Sequence, residues 1–221
     1  MKGENHFMFS NDYNIKFSII ILTALFLLIV TPITQANGDG ALIKDSYNLK
    51  AYFPLHSGIE YSYAGEGIEY ASFKRKVIYV EDKYLQLTDN NGGTIVVKIY
   101  KYDDNEIREV YTEGEFYKED NIIPDIKNKN EGPVILQSPL KVGHSWENKK
   151  EKREIVATNE KVQVPAGTFY QVVKIKILYF DSENISYNYF APNIGLIKSE
   201  YIGENFEVIS KLESFQLKNT D

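Results

Sequence analysis

The residues with the chemistry for catalysis are carboxylates, and their spacing matches no enzyme motif. A glycoside hydrolase needs two carboxylates about 5–10 Å apart across a cleft. Here the acidic pairs are adjacent and lie in turn-like segments, which is typical of solvated loop charges: Glu81-Asp82, Asp103-Asp104 and Glu119-Asp120. The sequence contains no nucleophile elbow, zinc-binding helix, phosphate-binding loop or dinucleotide fingerprint. We therefore predict that the protein is not an enzyme, and keep a carboxylate-based glycan hydrolase as the third alternative.

Histidine and cysteine give equally little support for a metal site. Beyond residue 36 the only histidines are His56 and His144, and the chain has no cysteine. Two histidines do not complete a zinc site, and the acidic run from Asp103 to Glu106 lacks the full spacing of a calcium loop. We predict no metal and no cofactor.

Tyrosine is the remaining candidate for a binding function, with 17 residues in the chain. Tyr61 and Tyr63 alternate in one segment, and Tyr187 and Tyr189 alternate in another, so each pair shares one face of a strand. Such tyrosines either belong to the core, with hydroxyls reaching the rim, or line a concave apolar groove. They are weak candidates for ligand-binding residues.

The segments that position these tyrosines have the pattern of β-strands. Asn91-Gly92 predicts a hairpin turn between strands 84–88 and 94–100. Residues 171–180 alternate apolar side chains with lysines, and the preceding "VPAGT" places Pro165 and Gly167 in a turn. The turn "APNIG", with Pro192 and Gly195, separates two later strands. We predict an all-β, mainly antiparallel fold, either a curved sheet or an open half-barrel.

One element occurs twice, as "FPLHSGIEY" at residues 53–61 and "SPLKVGHSW" at residues 138–146. The shared positions are Pro54 and Pro139, Leu55 and Leu140, Gly58 and Gly143, and Tyr61 and Trp146. Each leucine is expected to pack inward, and each glycine to allow a tight turn before a core-facing strand. Two related, hairpin-built halves are one hypothesis. The alternative is that a β-rich sequence repeats such patterns by chance.

The N-terminal residues have the pattern of a secretory signal peptide. Lys2 and Lys16 precede an uncharged apolar run from Phe17 to Val30, and Pro32 and small residues follow it, with cleavage predicted after Ala36. We predict a signal helix within residues 1–36, a flexible lead-in over residues 37–50 and a single β domain over residues 51–221. An uncleaved membrane anchor is the alternative.

Charge and composition limit the classes of partner that the protein can bind and the cellular location that we expect for it. The net charge of −6 argues against nucleic-acid binding, which requires a basic surface. The missing cysteine excludes a lipobox, so we predict an exported protein, extracellular or associated with the envelope, that has no lipid anchor. Membrane contact is expected only through the N-terminal segment before cleavage.

The ordered series "YFPLHSGIEYSY", "VPAGTFYQVVKIKI", "YFAPNIGLIKSEY" and "KLESFQL" resembles uncharacterised secreted proteins and lipoproteins of Gram-positive and related bacteria. The resemblance covers most of residues 52–217. It implies a fold like that of the lipoprotein carriers LolA and LolB, with an apolar pocket inside an open half-barrel. The predicted function is thus a non-enzymatic binding module for a lipid or other apolar ligand. The alternative is a structural or protein-interaction component of the envelope.

Overall fold

A computed structural model describes residues 48–217, which form twelve β-strands and little helix. The predicted signal peptide, its cleavage at Ala36 and residues 37–47 of the lead-in lie outside the described residues. The strands are β1 Ile59–Glu66, β2 Phe73–Glu81, β3 Tyr84–Asn90, β4 Ile95–Tyr102, β5 Glu106–Glu113, β6 Val134–Gln137, β7 Ser145–Glu147, β8 Glu151–Val164, β9 Gly167–Tyr179, β10 Ile185–Ala191, β11 Gly195–Ile202 and β12 Glu207–Leu217. The helices are α1, Ile123–Ile126, and two 3₁₀ helices, Leu49–Tyr52 and Glu69–Ala71. Within residues 48–217, no helix is long and apolar enough to cross a membrane.

All twelve strands form one antiparallel sheet in the order β6-β5-β4-β3-β2-β1-β12-β11-β10-β9-β8-β7. The first six strands follow one another as a meander, and so do the last six. The meanders join where β1 pairs with β12, from Ile59 opposite Leu217 to Glu66 opposite Ile209. This is the strand order that two related halves would produce, because each repeated element immediately precedes the first strand of a meander.

The sheet curls until its edge strands β6 and β7 approach each other, which makes a nearly closed barrel. Two side chains of the second half reach across this seam. Trp146 Nε1 donates to the carbonyl of Val134 at 2.8 Å, and Arg153 Nη1 donates to the carbonyl of Ile135 at 3.4 Å. These bonds satisfy edge carbonyls that would otherwise be open to another strand. The predicted all-β antiparallel fold is confirmed, and the sheet curls further than an open half-barrel.

Both predicted hairpins are present. β3 pairs with β4 over seven residues, and the Asn91 side chain accepts hydrogen bonds from the amides of Gly93 and Thr94, which holds the turn. β8 and β9 form a longer hairpin that turns at Pro165 and Ala166. Residues 114–133 form an irregular segment with a single helical turn, α1, and its prolines at 124 and 133 limit further helix.

The two copies of the repeated element adopt matching turns. Gly58 and Gly143 have φ values of +81° and +85°, a conformation that glycine adopts without steric cost. The Gly58 amide donates to the carbonyl of Val77 at 2.9 Å, and the Gly143 amide donates to the carbonyl of Ile155 at 2.8 Å. Val77 and Ile155 are both fully buried, so each turn is attached to the core in the same way.

We call the end of the barrel that holds the β2–β3, β4–β5 and β10–β11 connections the lower end. Residues 48–58 cross it. The 3₁₀ helix Leu49–Tyr52 includes Leu49 and Lys50, which the sequence prediction placed in the lead-in, and Leu49 is buried. The Asn193 amide donates to the carbonyl of Ala51 at 2.6 Å. Apolar contacts with the core thus hold the last two residues of the predicted lead-in in a helical turn.

The outer half of the β8–β9 hairpin bends away from its neighbours toward the lower end. Its ladder shifts register three times between Ile155 and Val162, and Gln171 has a φ of +55°. The Tyr52 hydroxyl donates to the carbonyl of Gln171, and the Ala166 amide donates to the carbonyl of Leu212 on β12. The hairpin tip therefore reaches past β10 and β11 and helps to cover the core.

The segment 114–133 covers the outer face of β3 and β4. Ile123 and Ile126 pack against Tyr84 and Ile99 in a small second core. Gln86, fully buried, donates from Nε2 to the carbonyl of Asp120 at 2.7 Å and accepts from the amide of Ile122 at 3.0 Å. One glutamine thus binds both backbone groups that flank Asn121, which fixes the segment on the sheet.

Candidate functional site

The first pair of predicted tyrosines belongs to the core. Tyr61 and Tyr63 are 2% and 3% exposed, and their rings extend across the interior from β1. Their hydroxyls donate to the carbonyls of Ile194 and Leu196, at 3.1 and 2.8 Å. Burial raises the pKa of Tyr61 to about 12, although the nearby Arg75 opposes this increase. Both side chains occupy space that an apolar ligand would need.

The second pair lies on β10, separated from the first pair by β11 and β12. Tyr187 and Tyr189 share one face, as predicted, and Lys174 Nζ lies 4.4 and 4.9 Å from their ring centroids. The Tyr189 hydroxyl donates to Glu200 Oε2 at 2.7 Å. Burial and this carboxylate raise the pKa of Tyr189 above its ordinary range. The structure therefore does not bring the four candidate tyrosines together into one pocket.

The most unusual feature inside the barrel is a buried group of charges on β2, β3 and β4. Arg75 binds Asp89 through two hydrogen bonds, Nε to Oδ1 at 2.7 Å and Nη2 to Oδ2 at 2.9 Å. Lys98 Nζ lies 3.1 Å from Asp89 Oδ2. The Arg75 guanidinium also lies 5.8 Å from the ring centroid of Tyr63 and 5.6 Å from that of Phe73. One carboxylate thus compensates two cations in a largely water-excluded site.

The local field keeps these groups ionised. Burial alone would raise the pKa of the Asp89 carboxyl, but Arg75 and then Lys98 overcome it and lower the pKa to about 2. The pKa of Arg75 lies well above its ordinary value because Asp89 outweighs the effect of burial. Burial also raises the pKa of Tyr100, and the carboxylate of Glu109, which accepts its hydroxyl at 3.0 Å, raises it further.

The second half of the barrel contains a similar pair. Arg153 Nε lies 2.7 Å from Glu151 Oε1, and both side chains are nearly buried. Arg75 is opposite Tyr61 in the β1–β2 ladder, and Arg153 is opposite Trp146 in the β7–β8 ladder. Each repeated element therefore places its aromatic residue beside an inward arginine, which links the sequence repeat to the inner lining of the barrel.

Two adjacent open clefts lie where β12, β1, β2 and β3 meet, with volumes of about 450 and 580 Å³. Ser62, Lys74 and Asn90 line both of them. The first cleft is also lined by Glu60, Tyr61, Arg75, Lys76, Thr88, Ile95, Glu119, Ser214, Phe215 and Gln216, and the second by Tyr63, Ala64, Phe73, Asn91 and Glu213. Both clefts are open and mix polar with apolar side chains, so neither is the enclosed apolar pocket that an acyl chain would occupy.

Comparisons with known proteins establish a similarity of fold only. No protein-family model matches the sequence, and no curated protein matches it. A proposed exported protein with a YmcC-like fold, from Bacteroides fragilis, is 16% identical and has a TM-score of 0.48, covering 74% of this chain and 98% of that chain. A proposed lipoprotein from Parabacteroides distasonis is 15% identical with a TM-score of 0.44, covering 75% and 98%. Neither similarity supports a functional assignment, and the resemblance to LolA and LolB is not confirmed.

The predicted motif residues lie in turns or at strand ends, except Trp146, which lies in the middle of β7. Pro54 contacts the β10–β11 turn, where a Cβ added at Gly195 (φ +92°) would lie 2.8 Å from Pro54 Cδ. Pro192 belongs to the same turn, Pro139 follows β6, and Gly167, with a φ of +138°, begins β9. The two P-L-x-x-G elements and the "APNIG" turn are thus structural.

The remaining candidate groups of the described residues are the histidines and the surface carboxylates. Within residues 48–217, no three histidine, aspartate or glutamate side chains are grouped to hold a metal ion. His144 packs against Trp146 beside the seam, with ring centroids 5.7 Å apart, and its Nε2 is buried without a hydrogen-bond partner in this part of the chain. His56 lines a shallow cleft at the lower end.

Sequence reasoning missed Arg75 and Asp89, although a signal for Arg75 was present. In the sequence, Lys74 and Lys76 alternate with Phe73 and Val77, so the lysines lie on one face of β2 and the apolar residues on the other. Strand alternation places Arg75 with Phe73 and Val77, facing the core. No comparable signal identified Asp89, because its partners come from neighbouring strands.

Proposed function

We propose that the protein is an exported, non-enzymatic binding module of the cell envelope, and that its ligand is a partner protein. The observation that carries the proposal is the filled interior. Tyr61 and Tyr63 extend over β12 to carbonyls of the β10–β11 turn and of β11, and Tyr52 enters from the lower end and is 2% exposed. Of the three alternatives from the sequence, this arrangement favours the protein-interaction component over the lipid carrier.

The chemistry of the buried carboxylates supports a non-enzymatic role. A glycosidase needs one carboxylic acid whose pKa is raised so that it can donate a proton. Asp89 has the opposite property, since Arg75 and Lys98 hold its pKa at about 2. The buried carboxylates Asp89 and Glu151 are each paired with an arginine, which is typical of structural ion pairs.

The proposed location comes from the N-terminal sequence. A basic start, an apolar run and small residues before Ala36 are typical of an export signal. Because the chain has no cysteine for lipid attachment, we propose that the protein is held in the envelope by its partner or is released.

Two measurements on the protein as its host exports it test the proposal. The first is displacement of a fluorescent fatty acid, together with native mass spectrometry for a co-purifying lipid. The second is photo-crosslinking in the intact envelope, followed by identification of the adducts. We expect no displacement, no bound lipid and one dominant protein adduct. Saturable fatty-acid binding, or a lipid that co-purifies at about one per chain, would replace this proposal with the lipid-carrier hypothesis.

A further inference from the structure

The end of the barrel opposite residues 48–58 exposes an unusual number of large apolar side chains. We call it the upper rim, and define it as residues 66–72, 180–184 and 202–207, which contain the β1–β2, β9–β10 and β11–β12 connections. Five large apolar residues of the rim are between 37% and 57% exposed: Ile68, Tyr70, Phe180, Ile202 and Phe206. Apolar surface of this kind on a water-exposed end is typical of an interaction site.

The three connections are neighbours. In the sheet order β2-β1-β12-β11-β10-β9, antiparallel pairing brings all three to the same end. Ser210 Oγ donates to the carbonyl of Ala71 at 2.6 Å, which joins the first connection to β12. The ring of Phe206 lies 5.8 Å from that of Tyr201, and Tyr201 lies 6.0 Å from Tyr179. The three connections therefore lie side by side, and Phe206 is joined through Tyr201 to Tyr179 at the end of β9.

The same surface is strongly acidic. Its residues include six carboxylates and no lysine or arginine: Glu66, Glu69, Asp181, Glu183, Glu204 and Glu207. The adjacent β7–β8 connection carries Lys149 and Lys150, and the Phe180 amide donates to the Lys150 carbonyl at 2.9 Å. All six are exposed, and Glu66 is neutralised by Lys211 of β12 at 2.7 Å. An anionic membrane or nucleic acid would be repelled by this charge, and a second copy of the rim would be repelled in the same way.

A cleft of about 380 Å³ opens within the rim between the β9–β10 and β11–β12 connections. Ile185 and Ile202, which are opposite each other in the β10–β11 ladder, provide its apolar part. Glu183 and Glu204 line the same cleft. This combination matches a lysine or arginine side chain, whose carbon stem packs on apolar surface while its cation reaches a carboxylate.

We propose that the upper rim binds a basic amphipathic segment of a partner protein, and that a lysine or arginine of that segment enters the cleft between Glu183 and Glu204. The apolar face of the segment packs on Phe206 and its neighbours, and its cations face the remaining carboxylates. This inference rests on the proposed function, since it names the chemistry of the partner. Charge complementarity of this kind sets partner choice and association rate.

The test uses the exported protein and a fluorescent helical peptide of about 14 residues with leucines on one face and lysines on the other. Binding is measured by anisotropy at low and high salt. Three comparison peptides are used: one with glutamates in place of the lysines, one with the same composition but no apolar face, and one with arginines. We expect the lysine and arginine peptides to bind, the other two to bind at least about tenfold more weakly, and salt to weaken binding.

The decisive variant is Glu183→Gln/Glu204→Gln, which keeps the shape of both side chains and removes their charge. A second variant, Ile202→Thr, keeps the branched shape and makes the cleft more polar. The matched control is Asp125→Asn/Glu131→Gln, which removes two exposed carboxylates from the segment 114–133. We expect each rim variant to weaken lysine-peptide binding by about tenfold and the control to change it by less than about twofold.

Equal loss in the control and rim variants would overturn the inference, because it would show a general charge effect. So would equal binding of the peptide that lacks an apolar face. If a partner is crosslinked in the envelope and the glutamine variant still captures it fully, the rim inference fails while the proposed function stands. Fatty-acid binding would instead refute the proposed function.

Discussion

Replacement of Asp89 by asparagine tests how the barrel tolerates charge in its interior. Asp89 compensates Arg75 and Lys98, and its side chain is 14% exposed. Asparagine has nearly the same volume, so Asp89→Asn removes the negative charge without creating a cavity. It leaves Arg75 and Lys98, whose side chains are 10% and 27% exposed, without their carboxylate partner.

The size of the effect follows from the pKa of the carboxyl group. The difference between its ordinary value of 3.8 and about 2 corresponds to about 2.4 kcal/mol in favour of the folded state. Removing one partner of a buried ion pair typically costs about 3–5 kcal/mol. We therefore expect Asp89→Asn to lower the free energy of unfolding at pH 7 by about 3 kcal/mol.

The same pKa shift also predicts how the stability of the protein depends on pH. Because folding lowers the pKa of Asp89, its contribution is complete above about pH 4 and is lost as the pH falls toward 2. The wild-type protein should therefore lose about 2 kcal/mol more stability than Asp89→Asn between about pH 4 and pH 2. At about pH 2 most of the difference in stability between the two proteins should be gone.

Urea unfolding followed by the fluorescence of Trp146, the single tryptophan, measures both effects. The matched control is Glu66→Gln, which breaks the exposed pair between Glu66 and Lys211 and should cost less than about 1 kcal/mol. If Asp89→Asn costs no more than this control, or if the two proteins respond identically to acid, the buried charges are solvated and our reasoning is wrong.

Three further predictions concern the turns, the covering segment and the core. Gly195→Ala should lower the free energy of unfolding in urea by about 2–4 kcal/mol, because the new Cβ would meet Pro54. Gly143→Ala, with open space around its Cβ, should lower it by only about 1 kcal/mol, and equal losses would contradict the packing argument. Gln86→Met should cost about 2 kcal/mol and speed hydrogen exchange over residues 119–127, because the Asp120 carbonyl and the Ile122 amide lose their partner; unchanged exchange there would refute it. Folding raises the pKa of Tyr61 from 10 to about 12, so the contribution of its hydroxyl to folding stability is complete below pH 10 and is lost as the pH rises toward 12. Over that interval Tyr61→Phe should therefore lose about 2–3 kcal/mol less stability than the wild-type protein. Parallel curves of stability against pH for the two proteins would refute this prediction.

Much of the fold was predictable because its signals are local. Asn91-Gly92 and Pro165-Ala166-Gly167 each determine a turn within a few residues, and both hairpins were correctly predicted from them. Gly58 and Gly143 also give a local signal, because glycine adopts a positive φ without steric cost and both residues have one. Alternation also placed Tyr61 with Tyr63 and Tyr187 with Tyr189 on shared faces.

The candidate site was harder to predict because its partners are distant in sequence. The Tyr61 and Tyr63 hydroxyls bind carbonyls 133 residues away, and no local pattern indicates such a contact. The same pattern fits a core tyrosine and a groove tyrosine, so the choice between a filled barrel and a ligand pocket remained open. The β8–β9 hairpin likewise predicts a ladder, but not that its tip would bend to Leu212.

The sequence by itself predicted the antiparallel strands, their turns, the duplicated element and an export signal, since each depends on neighbouring residues. Only the tertiary structure decided that the sheet closes almost completely, that Arg75 and Asp89 meet inside it, and that three connections form one acidic, apolar rim. The physical reason is that closure, charge compensation and surface continuity depend on strand register across the whole sheet, which brings together side chains that no short stretch of sequence connects.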